Sequence, residues 1–423
     1  MKIAIFVDHF PVASQTFVLN QVTGLIDLDV DITVVSLNPS MDSWVKYAEL
    51  KKYNLPNRTL YLNQINEDSI SPLRIFLNRL RLTIKGLVQP ATALKATKAL
   101  RWWRYGHQSK SLLLASIAAQ HNHTLGFDVI LCHFGFNGVL ANKLRDIGVL
   151  DGKIATIFHG YELSAKLALQ RYKQDYQSLF KQTSIMLPVN TRWQHKLIEL
   201  GCPKEKILVQ RMGVDLNLFR FQPIHAISDC LQLFTVARFA EKKGLEYGLR
   251  ALALLGESID FHYKLAGYGE LADSLELLVK ELQLENKVSF LGSLEQHQVI
   301  EHMQGADIFL QPSITAENGD MEGVPVAIME AMAMGTVVVS TLHSGIPELI
   351  IHGQHGLLSE ERDVKGLKDN ICQLYDDPNL YALIRLNARN RIEQMASVDK
   401  LNQQLLLRLQ TLSSSGLQYN PSV

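Results

Sequence analysis

Cysteine is scarce in this chain: four in 423 residues, at 132, 202, 230 and 372, with no CxxC pair. That spacing excludes a disulfide framework and a structural zinc site, and it fits thiols kept reduced. Long apolar runs are missing as well. No stretch approaches the roughly 18 uninterrupted apolar residues that span a bilayer, and the opening run Met1–Val7 is too short for a signal-peptide core. Neither sign of charge is in excess, with 42 Lys plus Arg against 42 Asp plus Glu, so net charge points to no polyanionic partner. The most local absence is of acid: residues 69–127 contain no Asp or Glu.

What the chain does have is regular alternation. Short apolar runs at Ile3–Val7, Ile32–Ser36, Val129–His133, Ile154–Phe158, Ile185–Val189 and Ile207–Arg211 read as one series of strands. A second series runs Leu233–Ala237, His262–Ala266, Val288–Leu291, Ile308–Gln311 and Thr336–Ser340. Helix-period segments such as Leu245–Leu254 and Leu271–Leu284 lie between them, so βαβ units and parallel sheets are expected. Eleven strands and this length fit two domains better than one. The irregular segment from Gly213 to about Ile227 is the expected border. This gives an N-terminal domain over 1–214, completed by a C-terminal helix over 396–412, and a second domain over 215–395.

The densest chemical signal is Glu322-Gly323-Val324-Pro325-Val326-Ala327-Ile328-Met329-Glu330. Pro325 suits the first position of a helix and Gly335 its end. Gly323 lets backbone approach a ligand, and a helix start offers N–H groups and a positive dipole end to a diphosphate. Glu322 and Glu330 can accept hydrogen bonds from sugar or ribose hydroxyls. Arg238 and Lys243, after the strand Leu233–Ala237, supply a fork and a point charge for the same diphosphate. Gly267-Tyr268-Gly269 marks another turn at a strand end, and His159, in Phe158-His159-Gly160, ends a strand in the first half.

The order Arg238…Lys243-Gly244, Gly267-x-Gly269, Phe290-Leu291-Gly292 and Glu322-x7-Glu330 resembles the family 4 retaining glycosyltransferases of GT-B fold. The resemblance covers nearly the whole chain and is strongest over 231–360. It implies an α/β protein of two facing Rossmann-like domains, with the donor nucleotide held mainly by the second. It also implies that Arg238 and Lys243 bind the diphosphate, Glu330 the ribose and Glu322 the donor sugar. Gly323, Val324, Val326 and Gly267 would line the donor site, the turn near Ser293 and Leu294 would touch the base, and His159 would lie against the sugar. The loop Asp8–Phe17 has Ser14 and Thr16, read as helix caps, where many relatives carry a Gly-Gly pair. The Ser14-x-Thr16-Phe17 form, Cys132-His133-Phe134-Gly135 at a strand end and Glu322-Gly323-Val324-Pro325 resemble the colanic-acid and amylovoran type of exopolysaccharide transferase, which implies polyprenyl-diphosphate-linked acceptors.

A UDP- or GDP-sugar is thus expected as co-substrate, with no cofactor and no metal. Asp27-Leu28-Asp29-Val30-Asp31 mimics a metal-binding Asp-x-Asp, but it precedes a strand instead of following one and reads as a solvated turn. The acid-free stretch carries nine cations between Arg74 and Lys110, interleaved with Leu77, Leu80, Leu87, Trp102 and Trp103. Such a surface suits an anionic membrane face; the alternative is a solvated helix whose tryptophans turn inward. No nucleic-acid reading module accompanies the charge. A cytoplasmic enzyme, peripheral on the inner face of the plasma membrane, is the expectation. The competing readings on the same fold are a sugar-nucleotide epimerase, a phosphorylase or a non-catalytic glycan binder.

Overall fold

The computed structural model describes residues 1–12, 15–40, 51–63, 70–222, 227–256 and 258–414. Their strands form two six-stranded sheets in which every pair of neighbouring strands is parallel. The first contains β1 (Lys2–Phe10), β2 (Asp31–Pro39), β3 (Thr59–Tyr61), β4 (Leu125–His133), β5 (Leu150–Phe158) and β6 (Ile185–Pro188), in the order β3-β2-β1-β4-β5-β6. The second contains β7 (Leu231–Val236), β8 (Phe261–Ala266), β9 (Val288–Gly292), β10 (Ile308–Gln311), β11 (Val337–Thr341) and β12 (Leu357–Ser359), in the order β12-β11-β10-β7-β8-β9. Numbered from its own first strand, each sheet has the doubly wound order 3-2-1-4-5-6. The winding direction therefore reverses between β1 and β4 and between β7 and β10, and a crevice opens at the carboxyl ends of those strands.

Strand β1 shows why the runs read as strands. Ile3, Ile5 and Val7 pack on one face with Val18, Val22 and Leu405, while Ala4 and Phe6 pack on the other with Leu114 and Ala118. A parallel strand covered on both faces is a continuous apolar run. Two short strands, β3 and β12, were not expected; three residues carry no readable period. The expected strand Ile207–Arg211 is not formed. It touches β6 by a single bridge, Met186 to Ile207, with Leu208 N donating to Met186 O and Gln210 N to Pro188 O. Pro188 has no N–H to return a bond to Leu208, so the ladder stops there.

The chain crosses between the two sheets twice, at the same place. Val214 N donates to Ala396 O at 2.8 Å and Val398 N to Val214 O at 3.1 Å. A side chain on Gly213 would stand 2.6 Å from Val398 Cα. After the second crossing, helix Val398–Ser414 buries Leu405, Leu409 and Leu412 against the first sheet and helix Thr16–Asp27. Asp27 and Asp31 flank the turn into β2, at the end of the sheet away from the crevice; Asp27 accepts the Tyr53 hydroxyl and Asp31 pairs loosely with Arg58.

Candidate functional site

The first half of the site stands on β4 and β5. His133 ends β4, and His159 directly follows β5; their rings stack at 5.3 Å, with His133 Nδ1 3.1 Å from His159 Nε2. One hydrogen serves both facing nitrogens. Burial pushes the His133 pKa down to about 3, and burial beside His133 holds His159 well below the ordinary range. Both rings are therefore neutral at physiological pH. Phe17 and Phe134 flank His159 at 4.7 and 4.5 Å between ring centroids. Phe134 sits at φ +70°, a left-handed backbone that an aromatic residue adopts only under constraint.

Glu162 provides part of that constraint. It is fully buried, and its carboxylate accepts the N–H groups of His159 at 2.8 Å, Gly160 at 3.1 Å and Gly135 at 3.3 Å. Burial raises its pKa, and these bonds offset only part of the rise. Glu162 thus ties the loop after β5 to the loop after β4 and fixes where His159 stands. At the end of β1, the Asp8 carboxylate lies 3.2 Å from His9 Nδ1; burial pushes its pKa up, but His9 together with hydrogen bonds from backbone and Asn137 outweighs that and holds it low.

The second half rises from β7, β10 and β11. Lys243, at the end of the turn after β7, places Nζ 2.8 Å from Glu322 Oε1, and Lys242 pairs with Asp320 at 3.1 Å. Burial raises the Glu322 pKa, but Lys243 and Lys242 outweigh it and hold the carboxylate ionised. Arg238 is 63% exposed and reaches Glu270 at only 3.6 Å, which leaves its guanidinium available to an anion. The Glu322 loop is held from behind. Glu322 N donates to His343 Nε2 at 3.1 Å, so His343 carries its hydrogen on Nδ1, which lies 2.6 Å from Glu361 Oε1. Glu361 also accepts from Thr315 N and Oγ1. His343 was missed in the sequence, although it follows a strand end on the crevice side.

Helix Val326–Met334 then begins, one residue later than expected, with Pro325 flanking it and Gly335 closing it at φ +80°. Its first turn leaves N–H groups without intrahelical partners. Glu330 lies one turn in, and burial pushes its pKa up to about 7. The other expected donor residues lie on several elements. Val324 and Val326 are half-buried at its start, and Leu294 lies half-buried in the turn after β9. Gly267, at φ +132°, packs backbone on backbone: a side chain there would meet Ala237 O. Thr16 is the first residue of helix Thr16–Asp27, whose flanking residue is Gln15 with no side-chain cap bond, so Thr16 is not the cap expected of it. Ser14 lies outside the described residues.

The two halves meet through their glycines. A side chain on Gly323 would run into His159 O, and one on Gly160 would stand 3.2 Å from Gly323 Cα. Asn190 Nδ2 donates to Gly323 O at 2.9 Å, and Met321 N to Ser164 Oγ at 3.1 Å. Glu348 clamps the rim, accepting Thr191 N at 2.7 Å and lying 3.3 Å from Arg211. His159, Glu322 and the start of helix Val326–Met334 are thereby gathered at one point between the sheets.

Away from the crevice, helix Pro72–Val88 is built inside out. Leu73, Phe76, Leu77, Leu80, Ile84, Leu87 and Val88 are each 37–77% exposed, while Thr83 and Gly86 face the protein. A side chain on Gly86 would stand 2.5 Å from Ala119 Cβ. Trp102 and Trp103 are exposed too, so the inward-packing alternative does not hold. No described helix is long and apolar enough to cross a membrane.

Comparison with known proteins places these features in company. The profile of the family described as glycosyl transferases group 1 matches residues 220–391. WcaL of Salmonella typhimurium, a glycosyltransferase assigned to colanic acid biosynthesis, is 40% identical over 97% of this chain and 100% of its own length. The amylovoran biosynthesis glycosyltransferase AmsK of Erwinia amylovora is 40% identical over 93% of this chain and 95% of its own. Among solved structures, HepE of Anabaena in complex with UDP and glucose superposes with a TM-score of 0.69, at 18% identity, over 97% of this chain and 100% of that one. Sucrose-phosphate synthase of Thermosynechococcus elongatus gives 0.70 at 16% identity, over 98% and 100%.

Proposed function

The chain belongs to the group 1 glycosyltransferases, and on that footing we propose that it transfers a hexose from a UDP- or GDP-sugar to an oligosaccharide carried on a polyprenyl diphosphate, as a step in exopolysaccharide assembly. The observation that carries this reading is the contact between the His159–Gly160 loop and the Glu322–Gly323 loop, with Lys243 and a helix start beside it.

In this reading the donor diphosphate lies against the start of helix Val326–Met334, where N–H groups, Lys243 and Arg238 stabilise the charge that builds as the nucleotide departs. Glu330 accepts the ribose hydroxyls, and Leu294 borders the base. Glu322 accepts hydroxyls of the sugar. The C1–O bond to the phosphate breaks, the acceptor hydroxyl adds to C1 on the same face, and its proton passes to the departing phosphate oxygen. Configuration is retained, and no metal or cofactor takes part. A neutral His159 suits this chemistry, because an imidazolium there would repel the cationic sugar centre. The inside-out helix Pro72–Val88, with Arg74, Arg81 and Lys85 exposed, supports residence on the anionic inner face of the plasma membrane, where a lipid-linked acceptor is found.

The test is calorimetric titration of the protein with UDP, GDP and their sugar conjugates, beside Glu330→Ala and Lys243→Ala. Tight binding of one nucleotide, weakened in both variants, is expected; a folded protein that binds none of them refutes the reading.

A further inference from the structure

Lys243 meets the carboxylate of Glu322, but the backbone of Glu322 is gripped by a relay to which the transferase reading gives no role. Three neighbouring strands of the second sheet build it at their carboxyl ends. β11 and β12 pair in register as far as Thr341 and Ser359, and each then delivers a side chain two residues further on, His343 and Glu361. Equal offsets past a parallel pair bring the two side by side, with His343 Nδ1 2.6 Å from Glu361 Oε1. Thr315, four residues past β10, donates to Glu361 from its N–H at 2.8 Å and its hydroxyl at 3.1 Å.

The far end of the relay is a peptide group. A backbone N–H can only donate, so His343 Nε2, 3.1 Å from Glu322 N, is bare, and the hydrogen of the ring sits on Nδ1 facing Glu361. Burial holds the His343 pKa below its ordinary value, which keeps the ring in the neutral form this bond requires. The next residue completes the grip. Ser344 Oγ donates to Glu322 O at 2.6 Å, from a backbone at φ +47° that a serine adopts only under constraint. His343 and Ser344 thus hold the N–H and the C=O of one residue. Gly345 seats the following carbonyl, since a side chain there would stand 2.5 Å from Gly323 O.

Pinning both backbone groups of Glu322 fixes the direction of its side chain. Lys243 faces Oε1 at 2.8 Å, and Oε2 has no hydrogen-bond partner among the described residues. In the transferase reading this carboxylate accepts hydroxyls of the donor sugar, which a bare nucleoside diphosphate lacks. We infer that His343 and Glu361 are positioning residues for the donor sugar: they act through the Glu322 amide, and they set the preference for a sugar nucleotide over the bare nucleotide. The inference rests on the transferase reading for the ligand, whereas the relay itself stands on its own hydrogen bonds.

The test compares the full-length wild type with His343→Asn and His343→Gln. Asparagine keeps a donor for Glu361 but is too short to reach the Glu322 amide; glutamine carries an oxygen to the place of Nε2 and can accept from it. Hydrogen–deuterium exchange of the Glu322 amide is followed in the ligand-free protein. Calorimetry then gives the affinity of UDP-glucose, UDP-galactose and GDP-mannose relative to UDP or GDP alone. In His343→Asn the amide should exchange faster and the ratio should fall about fivefold, the loss of one aimed hydrogen bond, with the bare nucleotide bound as in wild type. His343→Gln should restore both. Wild-type exchange and ratio in His343→Asn overturn the inference, and so does an equal loss in both variants. Faster exchange with an unchanged ratio makes the relay a structural support alone and overturns its role at the sugar. A folded wild type that binds none of these ligands overturns the transferase reading, and the sugar role falls with it; the exchange measurement needs no ligand and tells the two failures apart.

Discussion

Lys243 Nζ lies 2.8 Å from Glu322 Oε1, and the two side chains are only 15% and 9% exposed. The pair couples stability to function, because the cation that would meet the donor phosphate also neutralises the carboxylate that would meet the donor sugar. Removing the lysine strands a buried charge, at a cost of about 3–5 kcal/mol. Lys243→Met should lose both melting temperature and nucleotide affinity. Adding Glu322→Gln should restore much of the melting temperature but none of the transfer. Equal melting of Lys243→Met and wild type would show that the pair has no structural weight.

If Glu330 holds the donor ribose as proposed, donor binding should depend on pH. With its pKa at about 7, roughly a tenth of the molecules carry the carboxylate at pH 6 and about half at pH 7. If the ionised form accepts the ribose hydroxyls, nucleotide affinity should fall about fivefold from pH 7 to pH 6. Glu330→Gln should bind more weakly at pH 8 and lose this dependence. The apo protein should show the reverse trend in stability. A carboxyl group whose pKa is raised on folding contributes stability below its unfolded value, near 4.5, and that stability is lost as pH rises toward 7.

His133 acts in the opposite sense. Its pKa falls from about 6.5 unfolded to about 3 folded, so the stability present above 6.5 is lost as pH drops toward 3. Between pH 6.5 and 5 the loss is about 2 kcal/mol for this residue. Thermal melts across that window should steepen in wild type and flatten in His133→Phe. Identical profiles would mean that the ring titrates normally.

Gly323 governs the approach of the two sheets. A methyl group there collides with His159 O, so Gly323→Ala should force the loops apart while leaving the second domain's own fold intact. A displacement of about 1 Å at a reacting centre costs on the order of a hundredfold in rate. We expect kcat to fall by about that factor, with nucleotide affinity changed far less; a variant with wild-type kcat would place the reaction elsewhere.

The exposed leucine face gives a separate test. Sedimentation with vesicles containing anionic lipid should capture wild type, with capture weakening as salt is raised. Leu77→Glu combined with Ile84→Glu should remain in the supernatant with unaltered nucleotide binding. Capture of that double variant at wild-type levels would rule out this helix as the contact.

The strand pattern was legible because parallel strands are apolar on both faces, as in Ile3–Val7. The segment Ile207–Arg211 shows the limit: its composition is that of a strand, but the missing N–H of Pro188 ends the pairing. The residues of the crevice could be listed from strand ends and helix starts. Their grouping could not, because the contacts of Gly160 with Gly323 and of Thr191 with Glu348 join positions about 160 residues apart. Glu162 was visible two residues after Gly160, but its role was equally hidden. Its three backbone partners are visible only once the loops after β4 and β5 lie side by side.

The double crossing at Val214 and Ala396–Val398 sets an order on synthesis. The first sheet and helix Thr16–Asp27 await the apolar face of Val398–Ser414, which is synthesised after the strands of both sheets. The second sheet can therefore close while the first still exposes the groove meant for Leu405, Leu409 and Leu412. A nascent chain stalled before residue 398 would hold a finished second sheet and an unfinished first one, which closes only when the helix Val398–Ser414 is sewn back onto helix Thr16–Asp27.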